Sequence, residues 1–250
     1  MANIPVALQM YTLRNEANAD YLGVLKSVAE MGYAGVELAG MPIPAKDIRK
    51  ALDGLSLVAP SMHVGYNDLV NDVQRLIVEG REIGVSYITC SGIFNDLRKS
   101  AEGYKTAAEA LSLAGEQCVK QGLELCYHNH AFEFDKFDGK CGYDILFENS
   151  APRYLKAQID TYWVQFAGED PAAYIRRYAG RCPLVHLKDM AKDEERAFEV
   201  IGNGILDFNA IFKASEAAGV TWYIVEQDIC KGNPLECVRE SLDNLKRMGI

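Results

Sequence analysis

Short apolar segments rich in β-branched residues alternate along the chain with longer segments of helical period. The short ones fall at about residues 5–12, 34–39, 57–64, 86–91, 122–130, 154–160, 183–188 and 221–227 and read as strands. Between them, residues 20–31 place Leu22, Leu25, Val28 and Ala29 on one face, after the capping residue Asp20 and before Gly32. Residues 67–83 carry Leu69, Val73, Leu76 and Ile77 and stop at Gly84, and an Ala-rich run over 100–121 stops at Gly122. Residues 207–218 start at Asp207 and stop at Gly219, and residues 234–248 open with Pro234 in the first turn. The links around 40–55 and 142–150 are shorter.

Strand and helix repeated eight times predict parallel pairing through right-handed crossovers, and eight such units close into a barrel. An open doubly wound sheet would want Gly-x-Gly-x-x-Gly after the first strand, where this chain has Leu13-Arg14-Asn15-Glu16. No low-complexity stretch or linker interrupts the pattern. The expectation is an α/β fold, one (β/α)8 TIM barrel domain over residues 1–250.

Composition narrows the partners. With 49% hydrophobic and 24% charged residues the chain is ordinary for a globular protein. At this size it buries roughly three quarters of its unfolded surface and needs no disulfide staple. A net charge of −9 repels phosphate backbones, which argues against nucleic acid as a partner. The seven cysteines are scattered without a Cys-x-x-Cys pair, as in a reducing, cytoplasmic compartment. Met1-Ala-Asn-Ile-Pro-Val lacks the basic region and apolar run of a signal peptide, and no run of about 18 apolar residues offers a membrane span.

Function in such barrels gathers at the C-terminal ends of the strands. Strand five runs into Tyr127-His-Asn-His-Ala-Phe-Glu133, strand six into Gln158-Ile-Asp160, strand seven into Val185-His186-Leu-Lys188 and strand eight into Ile224-Val-Glu226. An isolated charge at the edge of a dry core is costly, and a cation shared by Glu133, Asp160, His186 and Glu226 would offset that cost. Three carboxylates and one imidazole suit Mn²⁺, with Mg²⁺, Co²⁺ or Zn²⁺ as alternatives. Strand alternation adds further candidates for substrate contact. Lys188 shares a face with His186 and reads as a pocket residue or a solvated lysine at the rim. His63 ends strand three as a substrate contact or a core histidine. Glu37 lines the pocket or anchors a loop, and Trp163 stacks on a sugar or caps the barrel. His128 and His130 share one parity and Glu133 has the other, so a bulge or a strand end must intervene, and which histidine faces the site stays open. Gly202 and Gly204 read as a turn.

At these motifs the sequence resembles the xylose isomerase-like TIM barrel superfamily, in its sugar (phosphate) isomerase/epimerase branch. The likeness includes Leu8-Gln-Met-Tyr-Thr-Leu-Arg14, Gly35-Val-Glu-Leu-Ala-Gly40, Ala167-Gly-Glu-Asp-Pro171 and Gly202-Asn-Gly204-Ile-Leu-Asp207. The resemblance implies one divalent metal, with Glu133 and Glu226 both ligating it and moving protons. It implies a sugar, keto-sugar or sugar phosphate isomerase/epimerase working by proton abstraction beside a metal-bound carbonyl, through an enediolate. The alternative on the same site is a lyase acting on an inosose or a 3-keto-glycoside. Trp163 stands where the ketose 3-epimerases carry a substrate-binding histidine, so a free ketohexose is not implied. An apurinic endonuclease would want a basic groove and more metal ligands than four histidines allow. A non-catalytic barrel would have no need of the ligands. The expected partner is a small carbohydrate, and a homo-oligomer is suggested by the relatives alone.

Overall fold

The computed structural model describes residues 4–94 and 96–250; Met1, Ala2 and Asn3, part of the opening segment read above for a leader, lie outside them. Eight parallel strands close the barrel: β1 (Val6–Gln9), β2 (Gly35–Ala39), β3 (Ser61–Val64), β4 (Tyr87–Cys90), β5 (Glu124–His128), β6 (Lys156–Asp160), β7 (Leu184–Leu187) and β8 (Trp222–Val225). Each pairs with its sequence neighbours, and β8 closes on β1 through Val6 opposite Tyr223 and Leu8 opposite Val225. Around them lie α1 (Arg14–Ala19), α2 (Tyr21–Met31), α3 (Ala45–Leu55), α4 (Tyr66–Ile83), α5 (Ala101–Lys120), α6 (Gly142–Glu148), α7 (Thr161–Phe166), α8 (Pro171–Arg177), α9 (Phe208–Ala218) and α10 (Pro234–Arg247).

The helix limits follow the capping chemistry. Asp20 accepts a bond from the Gly23 N–H at the start of α2, and Gly32 ends that helix at φ 95°, a conformation open to glycine at little cost. Helix α3 lies in the link that showed no clear stop, because its C-cap is Ser56 in the left-handed region (φ 55°) rather than a glycine. The first strand is shorter than its apolar run. The Gln9 side chain accepts the Tyr11 N–H and turns residues Met10–Leu13 into a 3-10 helix.

Side-chain alternation divides the molecule. Leu8, Val36, Met62, Ile88, Leu125, Ile159, Val185 and Val225 join the large apolar cluster that also contains the helix residues. Inside the barrel, apolar packing is reduced to a plug of Ala7, Cys126, Leu184 and Ile224. Beyond this plug the interior turns polar: Gln9, Glu37, Ser61, Thr89, Gln158 and His186 are all completely buried.

Candidate metal centre and proton-transfer site

Glu37 is the hub of the buried polar layer. Its carboxylate accepts bonds from Gln9 Nε2 (2.6 Å), Gln158 Nε2 (2.6 Å) and His186 Nε2 (2.6 Å), with His63 Nε2 at 3.0 Å. Burial alone would raise its pKa, but the His63 and His186 imidazoles hold it well below the carboxylate range. A carboxylate only accepts, so Gln158 must point its amide nitrogen at Glu37. The Gln158 Oε1 atom then accepts from His63 Nε2 (2.7 Å) and His128 Nδ1 (3.0 Å). Burial and the neighbouring imidazoles push the His128 pKa well down, so the ring is neutral. With its proton on Nδ1, His128 keeps a lone pair on Nε2, 3.6 Å from Asp160 Oδ2.

His128, Asp160, His186 and Glu226 each offer a donor atom within 4.8 Å of the others. His186 lies between two carboxylates, with Nε2 on Glu37 and Nδ1 2.9 Å from Glu226 Oε2. Burial lowers its pKa, but Glu37 and Glu226 more than reverse this and raise it to about 10. If a cation displaces the proton on Nδ1, Glu37 still holds the Nε2–H and fixes the ring. Asp160 Oδ2 is buried yet accepts no well-aligned hydrogen bond among the described residues. A lone-pair nitrogen, a buried carboxylate oxygen with no aligned hydrogen bond and an imidazole backed by a glutamate are features of a cation site, so the residues present fit a divalent metal. His63, His128 and His186 form a second group of close donors, but His63 Nε2 is engaged by Gln158 and Glu37.

Glu133, expected as a ligand and proton carrier, does not fall in this group of close donors. β5 ends at His128, and Glu133 lies beyond it in a 3-10 turn, Phe132–Phe134. Its carboxylate accepts from the Tyr127 hydroxyl (2.7 Å) and the His130 N–H (2.7 Å). Tyr127 belongs to the cluster outside the barrel wall, so Glu133 faces the helix layer. Burial raises its pKa to about 7, against the opposing effect of these two donors. His128, one of the two histidines left open above, takes the strand-five place.

Lys188 is fully buried, with Nζ 2.7 Å from Glu226, 3.1 Å from Asp160 and 3.0 Å from Asp228. Burial would lower its pKa, but these three carboxylates hold it well above its usual value, so the group is an ammonium. Asp228, not singled out from the sequence, is pushed up to about 7 by burial and by Glu226 and Asp160, against the pull of Lys188. Glu37, expected to line the pocket or anchor a loop, is instead the buried hub of the network and is not among the residues lining the cavity. His63, His128, His130, Trp163, Lys188, Glu226 and Asp228 all line one cavity of about 690 Å³ at the C-terminal mouth of the barrel. Trp163 also lies in the first turn of α7, where its N–H donates to the capping Asp160 Oδ1 (3.0 Å). Gly202 and Gly204 do form a turn: their N–H groups, with those of Met190 and Leu206, converge on the Asp189 carboxylate.

A family model described as xylose isomerase-like TIM barrel matches residues 25–248. The chain belongs to the xylose isomerase-like TIM barrel family. This xylose isomerase-like barrel is 30% identical over 154 residues to the inosose dehydratase of Clostridium tetani, a match covering 54% of this chain and 51% of that one, about half of the relative's length. It is 27% identical to the inosose dehydratase of Clostridium beijerinckii, with 88% of each chain covered. The fold is shared with a sugar phosphate isomerase/epimerase from Parabacteroides distasonis, at a TM-score of 0.87 and 24% identity over 98% of this chain and 94% of that one. Among the described residues no helix is long and apolar enough to cross a membrane, and all seven cysteines are free thiols.

Proposed function

We propose that this barrel is a divalent-metal-dependent lyase that removes the proton beside the carbonyl of an inosose or keto-sugar and expels an oxygen from the next carbon. The observation that carries this reading is the pairing of one carboxylate, Glu226, with one ammonium, Lys188, at 2.7 Å over the donor cluster. An epimerase of the two-glutamate kind needs a second carboxylate on the other face of the reacting carbon, and Glu133 is turned away. Elimination needs one base and one acid. Glu226 takes the C–H proton. Lys188 gives a proton to the leaving oxygen and regains one from Glu226 across their 2.7 Å contact, while Asp228, 3.0 and 3.2 Å from the same Nζ, holds the ammonium in place. The C–H and C–O bonds break, a C=C bond forms, and water or an alcohol departs.

His128, Asp160, His186 and Glu226 would hold the metal. When bound, the ion would polarise the substrate carbonyl and acidify the neighbouring C–H. Two imidazoles and two carboxylates favour Mn²⁺, Co²⁺ or Zn²⁺ over Mg²⁺, which prefers oxygen donors alone. The dehydratase relatives support the lyase reading, and the free thiols suit a reducing compartment.

The test is ¹H NMR in D₂O of the Mn²⁺-loaded protein with an inosose and a panel of keto-sugars. An unsaturated product should accumulate, and Glu226→Gln should slow it by about 10²–10⁴-fold. Epimerised or isomerised sugar as the product would transfer the assignment to an isomerase. No solvent exchange with any substrate would remove both.

A further inference from the structure

Resting on the proposed sugar chemistry at the cavity floor, we infer that the substrate is a glycoside whose second ring lies on an aromatic wall, not a free sugar or a sugar phosphate. The wall is continuous. Phe94 and His130 have ring centroids 5.2 Å apart, His130 and Trp163 5.7 Å, and Trp163 and Phe198 5.6 Å. These four rings come from the segments after β4, β5, β6 and β7, and all line the one cavity. The wall borders the floor directly, since Lys188 Nζ lies 5.9 Å from both the Trp163 and the Phe198 rings.

The mouth is open and apolar. Phe94 is 61% exposed, and on the other side of the cavity Tyr11 is 46% and Ile229 65% exposed. Large apolar side chains left in water at the rim of a cavity mark a surface that something covers. One sugar at the floor leaves most of 690 Å³ and the whole aromatic wall without contact. A flat ring face fits there, either an aromatic aglycone or the C–H face of another sugar.

A phosphate does not fit. Among the described residues two permanent cations line the cavity, Lys188 and Arg14. The Lys188 ammonium is enclosed by Asp160, Glu226 and Asp228. Arg14 Nη1 donates to the carbonyls of Tyr11 (2.9 Å) and Asp228 (3.0 Å), and the guanidinium lies over the Tyr11 ring. A phosphate dianion at this end would face Glu226 and Asp228.

Trp163 fluorescence reports on the wall directly, because the other tryptophan, Trp222, starts β8 at the opposite end of the barrel. Methyl glucoside, phenyl glucoside, cellobiose and glucose 6-phosphate are titrated into the full chain, with Mn²⁺ and again in EDTA. Phenyl glucoside or cellobiose should bind at least about tenfold more tightly than methyl glucoside, and which of the two leads identifies the second ring. Phe94→Ala and Phe198→Ala should reduce that preference to less than about threefold while Mn²⁺ binding and the circular dichroism spectrum stay unchanged. Equal binding of the three glycosides, no binding of any, or tighter binding of glucose 6-phosphate would overturn the inference. A ring preference that persists while Mn²⁺ fails to bind would sink the metal reading and leave the wall standing.

Discussion

Metal binding at this site should release protons, in a number that changes with pH in a defined way. A metal ligand must be a neutral imidazole, and His186, between Glu37 and Glu226, carries its second proton up to about pH 10. At pH 8 the ring is therefore almost fully protonated, and each bound ion displaces one proton. At pH 6 Asp228, with its pKa near 7, is mostly protonated too, and a cation near Glu226 drives that proton off as well. The count should rise from about one at pH 8 toward two at pH 6. Each proton displaced costs about 1.4 kcal/mol per pH unit below the pKa of its group. Apparent Mn²⁺ affinity should then strengthen by about 100-fold or more between pH 6 and pH 8. Titration calorimetry in two buffers of different ionisation enthalpy gives the proton count as a slope. Glu37→Gln, which removes one of the two carboxylates holding the His186 proton, should lower the count at pH 8 while the barrel stays folded. A pH-independent affinity with no proton release would mean that the ion does not take His186 Nδ1.

Other outcomes follow from neighbouring groups. The Glu133 pKa is raised from the usual 4.5 to about 7, so its stabilising contribution is complete below pH 4.5 and is lost as pH rises through 7, about 3 kcal/mol in all. Glu133→Gln should flatten that slope in urea unfolding at pH 5 and pH 8 and leave Mn²⁺ affinity within about twofold, whereas a large loss of affinity would return Glu133 to the ligand set. Lys188→Met leaves Asp160, Glu226 and Asp228 facing one another and should cost about 3–5 kcal/mol without metal. Mn²⁺ should then raise its melting temperature more than that of the wild type, and an equal rise would argue that the ammonium and the ion do not share these carboxylates. Gly204→Ala sets a methyl against the Met190 carbonyl and the Asp189 carboxylate, and should lower stability by about 2–4 kcal/mol, read from denaturant midpoints.

The barrel was legible because its signals are periodic. Eight short apolar runs, five of them followed by a helical stripe with a cap or a glycine stop, required no tertiary information. Asp160, His186 and Glu226 were legible for a related reason: each lies within an unbroken strand or one residue past its end, so counting by twos assigns its face. Glu133 defeated that counting. Parity holds only while the strand lasts, and β5 stops at His128, five residues short. The conflict of parity between His128 and Glu133 was visible in the sequence, but which residue yields depends on the Tyr127 hydroxyl waiting behind the wall. Gln158 was missed altogether, since an amide in an apolar strand gives no sign that its orientation sets the hydrogens of two imidazoles. Asp228 was passed over because its pKa comes from the crowding of Glu226, Asp160 and Lys188, which only coordinates reveal.

The four-residue apolar plug separates cohesion from chemistry. Strands and helices adhere on the outer side of the cylinder, while the lumen contributes little apolar adhesion of its own. Exchanging one polar lumen side chain for another of similar size need not loosen the shell that keeps the cylinder closed. A scaffold wired this way can change reactions in a few substitutions, provided each new inward group finds a hydrogen-bonding neighbour.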